Sequence, residues 1–433
     1  MKRTLIIGLS IIACQSYADI FSSADIDILK RNFLANINNE GAVVASPSQV
    51  YPNYYFDWIR DAAITMDLIE IWYEKDHHFD NKKRLLNYVS RTEKIQNQTD
   101  PIPGQPILGE PKFYLNGLPF EGPWGRPQYD GPALRALTLI HFAQVLLKDK
   151  ELDYVKTHLY NTNTISLSSG VIKTDLDFVA LHWQENNFDL WEEVYGHHFF
   201  TEMVQRKALL AGAELARQLH DESQAIYYET QAKQIANDLQ QFIDKENNII
   251  QATRPPHPGR QKTQELDTSV ILAALLGNTH DNFFAPNNGY LKNTALALKE
   301  QFKTYPINAN HTEAVLYGRY IDDVYDGYGD SEGNPWFILT ATMAEYYYTL
   351  GTMLPLTQKE RLKAYREQGD SYLKLIKQYA PDLNLSEQIN RYTGEQQGAY
   401  SLTWSYISVL RALMVRDKLN IILNGSTLAD SKL

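Results

Sequence analysis

Three carboxylates and an indole crowd into Asp189-Leu190-Trp191-Glu192-Glu193. Carboxylates are seldom buried without a partner, so such a stretch faces either water or a polar ligand. A Trp beside acids suits a sugar: the indole offers an apolar face to a pyranose ring, and the carboxylates bond hydroxyls or move protons. The competing reading is a solvated, acidic helix start capped by Asp189. On a helix, Asp189 and Glu192 would share a face, three positions apart.

Three other clusters repeat this chemistry. They are Tyr54-Tyr55-Phe56-Asp57-Trp58-Ile59-Arg60-Asp61, Trp124-Gly125-Arg126-Pro127-Gln128-Tyr129-Asp130-Gly131-Pro132, and Gly318-Arg319-Tyr320 with Gly333-Asn334-Pro335-Trp336. Each sets an aromatic ring near an Arg or a carboxylate, and an Arg–carboxylate pair can hold two hydroxyls in a fixed fork. Any one of them alone reads as a salt bridge packed on a ring. Four of them, in loops and at helix starts, are less easily dismissed as salt bridges.

Helices must position these clusters. Apolar residues recur at a period near 3.6 over 23–38, 85–95, 171–183, 199–220, 222–243, 266–276, 290–302, 335–350, 357–379 and 399–419, and again after Asp61 and after Asp130. Pro132 suits a first turn. No strand series, fixed-period repeat or low-complexity linker interrupts the pattern. Long Gly- and Pro-rich or acidic, aromatic loops fill 100–127 and 317–334, lengths that usually carry function. Helix pairs arranged in a ring would gather these loops on one rim.

The chain has 433 residues and a formal net charge of −11. That charge argues against nucleic acid as a partner and leaves a neutral substrate indifferent. Lys2 and Arg3, the apolar run Leu5–Ala13 and Ser16-Tyr17-Ala18 predict an export signal cleaved before Asp19. It is too short to span a membrane, and no stable membrane insertion is expected after cleavage. The single cysteine, Cys14, lies inside this segment, where a lipoprotein anchor is the lesser alternative. The mature chain then carries no disulfide and relies on a large core.

Taken together and in order, the clusters resemble the glucoamylases of glycoside hydrolase family fifteen. The residues that carry the resemblance are Trp58-Ile59-Arg60-Asp61, Trp124-Gly125-Arg126-Pro127-Gln128 through Arg135, Asp189 to Val194 with Phe199-Phe200-Thr201, Gly318-Arg319-Tyr320, Gly333-Asn334-Pro335-Trp336-Phe337, Leu385-Ser386-Glu387-Gln388, and Leu402-Thr403-Trp404-Ser405-Tyr406. The resemblance implies an all-α (α/α)6 barrel, here one catalytic unit over 19–433, that releases glucose from non-reducing ends of α-1,4-glucans with inversion. It implies Glu192 as general acid and Glu387 as general base, with Asp189 as a supporting residue and a rival for the base. It implies that Arg60, Asp61 and Arg319 grip the terminal sugar. Tyr54, Trp58, Trp124, Trp191 and Trp336 would line the pocket, and Leu190 and Glu193 would add bonds near the acid. Trp404 is as compatible with core packing as with contact. An acid catalyst needs a raised pKa, and the Trp191 ring and the Glu193 charge would both raise that of Glu192.

No cofactor and no metal are expected. The pair His197-His198 shows no acidic partner at ligand spacing and reads as solvated loop histidines. Asp326, Asp330 and Glu332 lack a full calcium pattern. Phe120 stands where relatives often carry Tyr. The length leaves no room for a starch-binding module, so soluble dextrins are the expected substrates and a monomer the expected state. Two rivals remain: the same barrel acting on trehalose, isomalto-oligosaccharides or dextran, and a glucan-binding protein without turnover.

Overall fold

A computed structural model describes residues 20–162, 169–254, 262 and 265–425. The expected export signal and Cys14 lie outside the described residues. No helix among the described residues is long and apolar enough to cross a membrane.

Twelve helices of eight residues or more carry the described chain. They are α1 (Ser23–Ala35), α2 (Ile59–Asp76), α3 (Phe79–Gln96), α4 (Asp130–Lys148), α5 (Val171–His182), α6 (Phe199–Gln218), α7 (Glu222–Asp238), α8 (Ser269–Leu276), α9 (Gly289–Phe302), α10 (Phe337–Thr352), α11 (Lys359–Tyr379) and α12 (Thr403–Asn424). The even-numbered helices touch in sequence, α2 to α4, α4 to α6, α6 to α8, α8 to α10, α10 to α12, and α12 back to α2. The ring therefore closes. The odd-numbered helices pack outside it, each against a neighbouring inner helix. This is the (α/α)6 barrel.

Sequence decides which helix goes where. Helix α8 reads Ser-Val-Ile-Leu-Ala-Ala-Leu-Leu, apolar on every face, and such a helix must be surrounded. Helix α11 is amphipathic, burying Leu362, Arg366, Gly369, Tyr372, Leu373 and Ile376 at helical spacing, and it sits in the outer layer. Small residues let the two layers approach. A Cβ on Gly369 would come within 2.4 Å of the Tyr348 ring on α10. Inner helices such as α4 and α10 are buried along most of their length. The axis of the ring is thus packed, and function is left to the loops at one end.

Short antiparallel ladders tie those loops together. Asp57–Trp58 pairs with Lys112–Phe113, and Asn187–Phe188 pairs with Tyr195–His198. Gln388–Ile389 pairs with Gln396–Gln397, and Trp336 bridges to Gln388.

Buried ion pairs pin inner helices to outer ones. Arg135 on α4 donates from Nε and Nη2 to Asp175 on α5, both at 2.7 Å, and both side chains are almost fully enclosed. Removing one partner strands a charge in the core. Asp175→Ala should lower unfolding free energy by about 3–5 kcal/mol in urea titrations. The double replacement Arg135→Met/Asp175→Leu should recover most of that loss. A loss below about 1 kcal/mol for the single variant would show that the pair does not hold the layers.

Candidate active site

A cavity of about 280 Å³ opens where the inner helices begin. Tyr54, Trp58, Arg60, Asp61, Trp124, Leu190, Trp191, Glu192, Glu193, Arg319, Trp336 and Glu387 all line it. So do Ala45, Gly125, Tyr325, Ile338, Leu402 and Trp404. Every candidate from the sequence except Asp189 is therefore brought to one place. The walls come from the first turns of α2, α10 and α12 and from the loops leading into α2, α4, α6, α10 and α12. Helix N-termini carry partial positive charge, which favours carboxylates here.

The stretch 189–194 is not helical, contrary to the alternative that put Asp189 and Glu192 on one helix face. It is the turn of a hairpin between Asn187–Phe188 and Tyr195–His198. The amide of Glu192 donates to the Asp189 carbonyl at 2.8 Å. The Asp189 carboxylate accepts from the amides of Glu193 at 2.8 Å and Val194 at 2.9 Å, and its second oxygen lies 3.9 Å from Lys262 Nζ. Burial raises its pKa to about 6. Asp189 thus shapes the turn from behind the cavity wall and is not placed to act as a base. Glu192 takes a left-handed backbone, φ +68°, a cost of order 1–3 kcal/mol that a tightly bonded turn can carry.

Three donors hold the Glu192 carboxylate. Trp58 Nε1 lies at 2.9 Å, Gln128 Nε2 at 3.0 Å and Arg60 Nη2 at 3.5 Å, all from Glu192 Oε1. The neighbours expected from sequence are engaged elsewhere. Trp191 Nε1 donates to both oxygens of Asp267 at 3.1 Å. Glu193 accepts from Arg319 Nη2 at 2.8 Å and from the Tyr320 hydroxyl at 2.5 Å. The ring beside Glu192 is Trp58, and the nearest polar contacts are donors, because the turn projects adjacent side chains to different walls.

Glu387 occupies a separate wall. Its carboxylate accepts from the Tyr54 hydroxyl at 2.9 Å and, more weakly, from the Tyr325 hydroxyl and the Ala399 amide, each at 3.4 Å. Burial pushes its pKa up to about 7, against these hydrogen bonds and the Arg319 charge. Gly398 backs the group at φ +75°, where a Cβ would sit 2.3 Å from Glu387 Oε2. Only glycine meets both demands. The Tyr54 and Trp58 rings, centroids 5.5 Å apart, space the Glu387 holder from the Glu192 holder.

Two arginines are set by acids, Arg60 by one on another segment and Arg319 by one on its own loop. Arg60 donates from Nη1 to Asp130 at 2.8 Å and to Gln128 at 2.9 Å. Arg319 donates from Nε and Nη2 to Asp323 at 2.7 and 2.6 Å. Arg126, by contrast, turns to Glu110 at 2.6 Å and away from the cavity. No hydrogen-bond donor among the described residues reaches the Asp61 carboxylate, whose pKa burial raises to about 7. Arg60 Nε, Trp124 Nε1 and Trp336 Nε1 are buried with no hydrogen-bond acceptor among the described residues. Cavity groups with unused hydrogen-bonding capacity suit a ligand rich in hydroxyls. Trp404 lines the cavity and lies under Arg60, 5.7 Å from ring to guanidinium carbon.

Other residues came without a clear signal in the sequence. Lys112 is buried among the rings of Phe56, Trp58, Phe120 and Trp124, its Nζ 3.5–4.6 Å from their centroids. Burial lowers its pKa to about 8. A caged ammonium fixes the aromatic wall through cation–π contacts, and Phe120 faces this cage. Tyr325, Asp267 and Lys262 are common residue types in loops, and only the fold gives them roles. The dense Tyr, Asp and Gly content of 317–334 was the one hint of Tyr325.

The histidine pair departs from expectation. His198 is buried, with ring nitrogens 2.8 Å from the Asn187 carbonyl and 3.1 Å from Thr253 Oγ1. His197 does meet acids: Nδ1 lies 3.3 Å from Glu202, and Asp238 completes a group that could hold a metal ion. Helix spacing hid these partners, five and more positions away. The Arg254 guanidinium sits between the two acids, 3.4 Å from Glu202 and 2.5 Å from Asp238, so a cation already serves them. In the 324–332 loop, Asp326 accepts from the amides of Tyr328 and Gly329, and Glu332 binds the Tyr392 hydroxyl.

Burial of Glu387 and Asp61 has a consequence for stability. Both folded pKa values lie above the unfolded ones, about 4. Their contribution is therefore complete below about pH 4 and is lost as pH rises through about 7. Glu387→Gln cannot ionise. Its Tm should exceed that of the wild type at pH 8, with the gap closing by pH 4 in differential scanning calorimetry. A gap independent of pH would contradict the burial effect.

The family profile described as Glycosyl hydrolases family 15 matches residues 27–414. A glucoamylase of Blastobotrys adeninivorans is 36% identical over 443 residues, covering 90% of this chain and 70% of that protein. A probable glucoamylase of Schizosaccharomyces pombe is 33% identical over 411 residues, covering 88% of this chain and 85% of that one. The solved glucoamylase from Saccharomycopsis fibuligera superposes with a TM-score of 0.80 at 30% identity, covering 92% of this chain and 95% of that chain. With its closed double ring of helices and its acid-lined cavity, this chain belongs to the glycosyl hydrolases of family 15.

Proposed function

We propose that the protein is an exo-acting, inverting hydrolase that releases β-D-glucose from the non-reducing ends of α-1,4-glucans. One observation carries this reading: Glu192 and Glu387 line a single cavity from two different loops, each held by an aromatic donor of the segment leading into α2. Inversion needs an acid on the leaving oxygen and a base on a water across the ring, with room for that water between carboxyls ~6.5–9.5 Å apart.

Glu192 is the proposed acid. Trp58, Gln128 and Arg60 all hold its Oε1, which leaves Oε2 to carry the proton to the glycosidic oxygen. Glu387 is the proposed base. The Tyr54 and Tyr325 hydroxyls hydrogen-bond it, and such bonds favour the ionised form a base requires. Arg60, Asp61 and Arg319 are the proposed grip on the terminal sugar. The packed ring axis supports exo action, because a chain end can enter the cavity and a chain middle cannot pass through it. Export through the first eighteen residues and action as a monomer belong to the same reading.

Release of glucose from maltose, maltotriose, isomaltose and trehalose, followed by a coupled glucose assay, tests the substrate class. Maltotriose and maltose should be cleaved fastest. Preference for isomaltose or trehalose would transfer the site to another linkage, and no release from any of them would leave only binding. Glu192→Gln should lower kcat more than 10³-fold with maltose binding kept, as expected for loss of a general acid. Tyr54→Phe removes a bond that lowers the Glu387 pKa. The acid limb of kcat/KM should therefore move up by about one pH unit, the worth of one hydrogen bond to a charged group. An unmoved limb would contradict the assignment of Glu387 as the base.

A further inference from the structure

A second depression, of about 460 Å³, lies beside the catalytic cavity. We infer that this groove, walled by the anchored rings of Tyr51 and Tyr400, binds outer glucosyl units of an α-glucan while a chain end occupies the catalytic cavity. The inference rests on the proposed substrate class and adds a site that the reaction itself does not need.

Exposure is the first support. Val50 is 88% exposed, Tyr51 65%, Tyr400 55% and Tyr328 41%. Large side chains bared together mark binding surfaces more often than isolated ones do. Anchoring is the second. The Tyr51 hydroxyl donates to the Tyr328 carbonyl, and the Tyr51 ring stacks on that of Tyr328, centroids 5.6 Å apart and 15° from parallel. The Tyr400 hydroxyl donates to the Pro47 carbonyl at 3.1 Å. Both rings are thus fixed while more than half of each side chain stays exposed. A platform set in advance loses little entropy on binding.

Charge is the third. The chain is 21% charged residues, yet among the described residues none that lines the groove is Asp, Glu, Lys or Arg. The polar groups there are side chains such as Gln49 and Ser386. A nucleotide, phosphate or charged peptide would find no counter-charge. Flat apolar faces flanked by neutral hydrogen-bonding groups match a neutral sugar chain. Position is the fourth. Ser386 precedes Glu387, and Gly398, which lines the groove, also backs the Glu387 carboxylate. One wall separates groove and cavity, so a polymer held in the groove raises the local concentration of chain ends at the cavity.

β-Cyclodextrin isolates the groove, because it is a closed ring of α-1,4-glucosyl units with no end to enter an exo cavity. The wild type should be retarded in native gels containing β-cyclodextrin. Tyr51→Ala and Tyr400→Ala, made separately and together, should weaken that binding at least fivefold and keep maltose kcat/KM within twofold. The double variant should also lose several-fold in kcat/KM on glycogen. Tyr400→Trp, which keeps an aromatic face, should retain binding and guards against a folding defect in the alanine variants. Unchanged retardation of the double variant would overturn the inference, as would a wild type that cleaves maltose but ignores β-cyclodextrin. A wild-type dimer dissolved by the same substitutions would instead assign the groove to a second copy of the chain. A wild type that binds β-cyclodextrin through these tyrosines but cleaves no α-glucoside would keep the groove and sink the proposed reaction.

Discussion

Two carboxylates nearly half a chain apart must be held in one cavity without neutralising each other's role, and much of the fold serves that constraint. Glu192 sits on a hairpin turn before α6, and Glu387 on a loop between α11 and α12. Neither position is rigid alone. Each is fixed by aromatic donors, Trp58 for one and Tyr54 for the other, and those donors come from a single segment leading into α2. That segment is the shared reference for both groups. Its own place is set by a two-residue ladder to Lys112–Phe113 and by the Asp57–Arg91 bond.

The same constraint explains the density of buried charge near the cavity. Arg60 with Asp130, Arg319 with Asp323, Arg126 with Glu110 and Lys262 with Asp267 each join two segments or lock one loop. Buried pairs contribute little net stability, since desolvation offsets attraction. What they provide here is geometry: a guanidinium gripped by an acid cannot wander when a sugar arrives. The helix N-termini add partial positive charge at the cavity. The Asp61 carboxylate, 3.8 Å from Arg60 Nε, and the clustered glutamates offset it, which suits a transition state with positive character on the sugar ring.

Much of this was legible in the sequence because its physics is local. A period of 3.6 located the helices, the one expected over 266–276 among them. The clusters around Trp58, Trp124, Glu192 and Arg319 carried recognisable chemistry. Glu387 did not, since Ser386-Glu387 resembles any helix start, and only the family likeness singled it out. The shape of 189–194 was missed because acids before apolar residues imitate a helix cap. A carboxylate bonded to two amides of its own turn also leaves no periodic trace. Trp191 next to Glu192 in sequence misled for a related reason: neighbours in a tight turn point apart, so Trp191 reaches Asp267 while Trp58 reaches Glu192. The acids facing His197 and the rings enclosing Lys112 are contacts between distant segments, which spacing cannot reveal.

In the proposed reaction the two carboxylates act from opposite sides of the sugar, through a water and not through a bond to the protein. The stereochemistry of the first product reads this directly. Proton NMR of a maltotriose digest, recorded faster than glucose mutarotates, should show the β-anomer of glucose appearing first and the α-anomer growing later. Initial release of α-glucose would contradict inversion, and with it the assignment of Glu387 as a base acting on water.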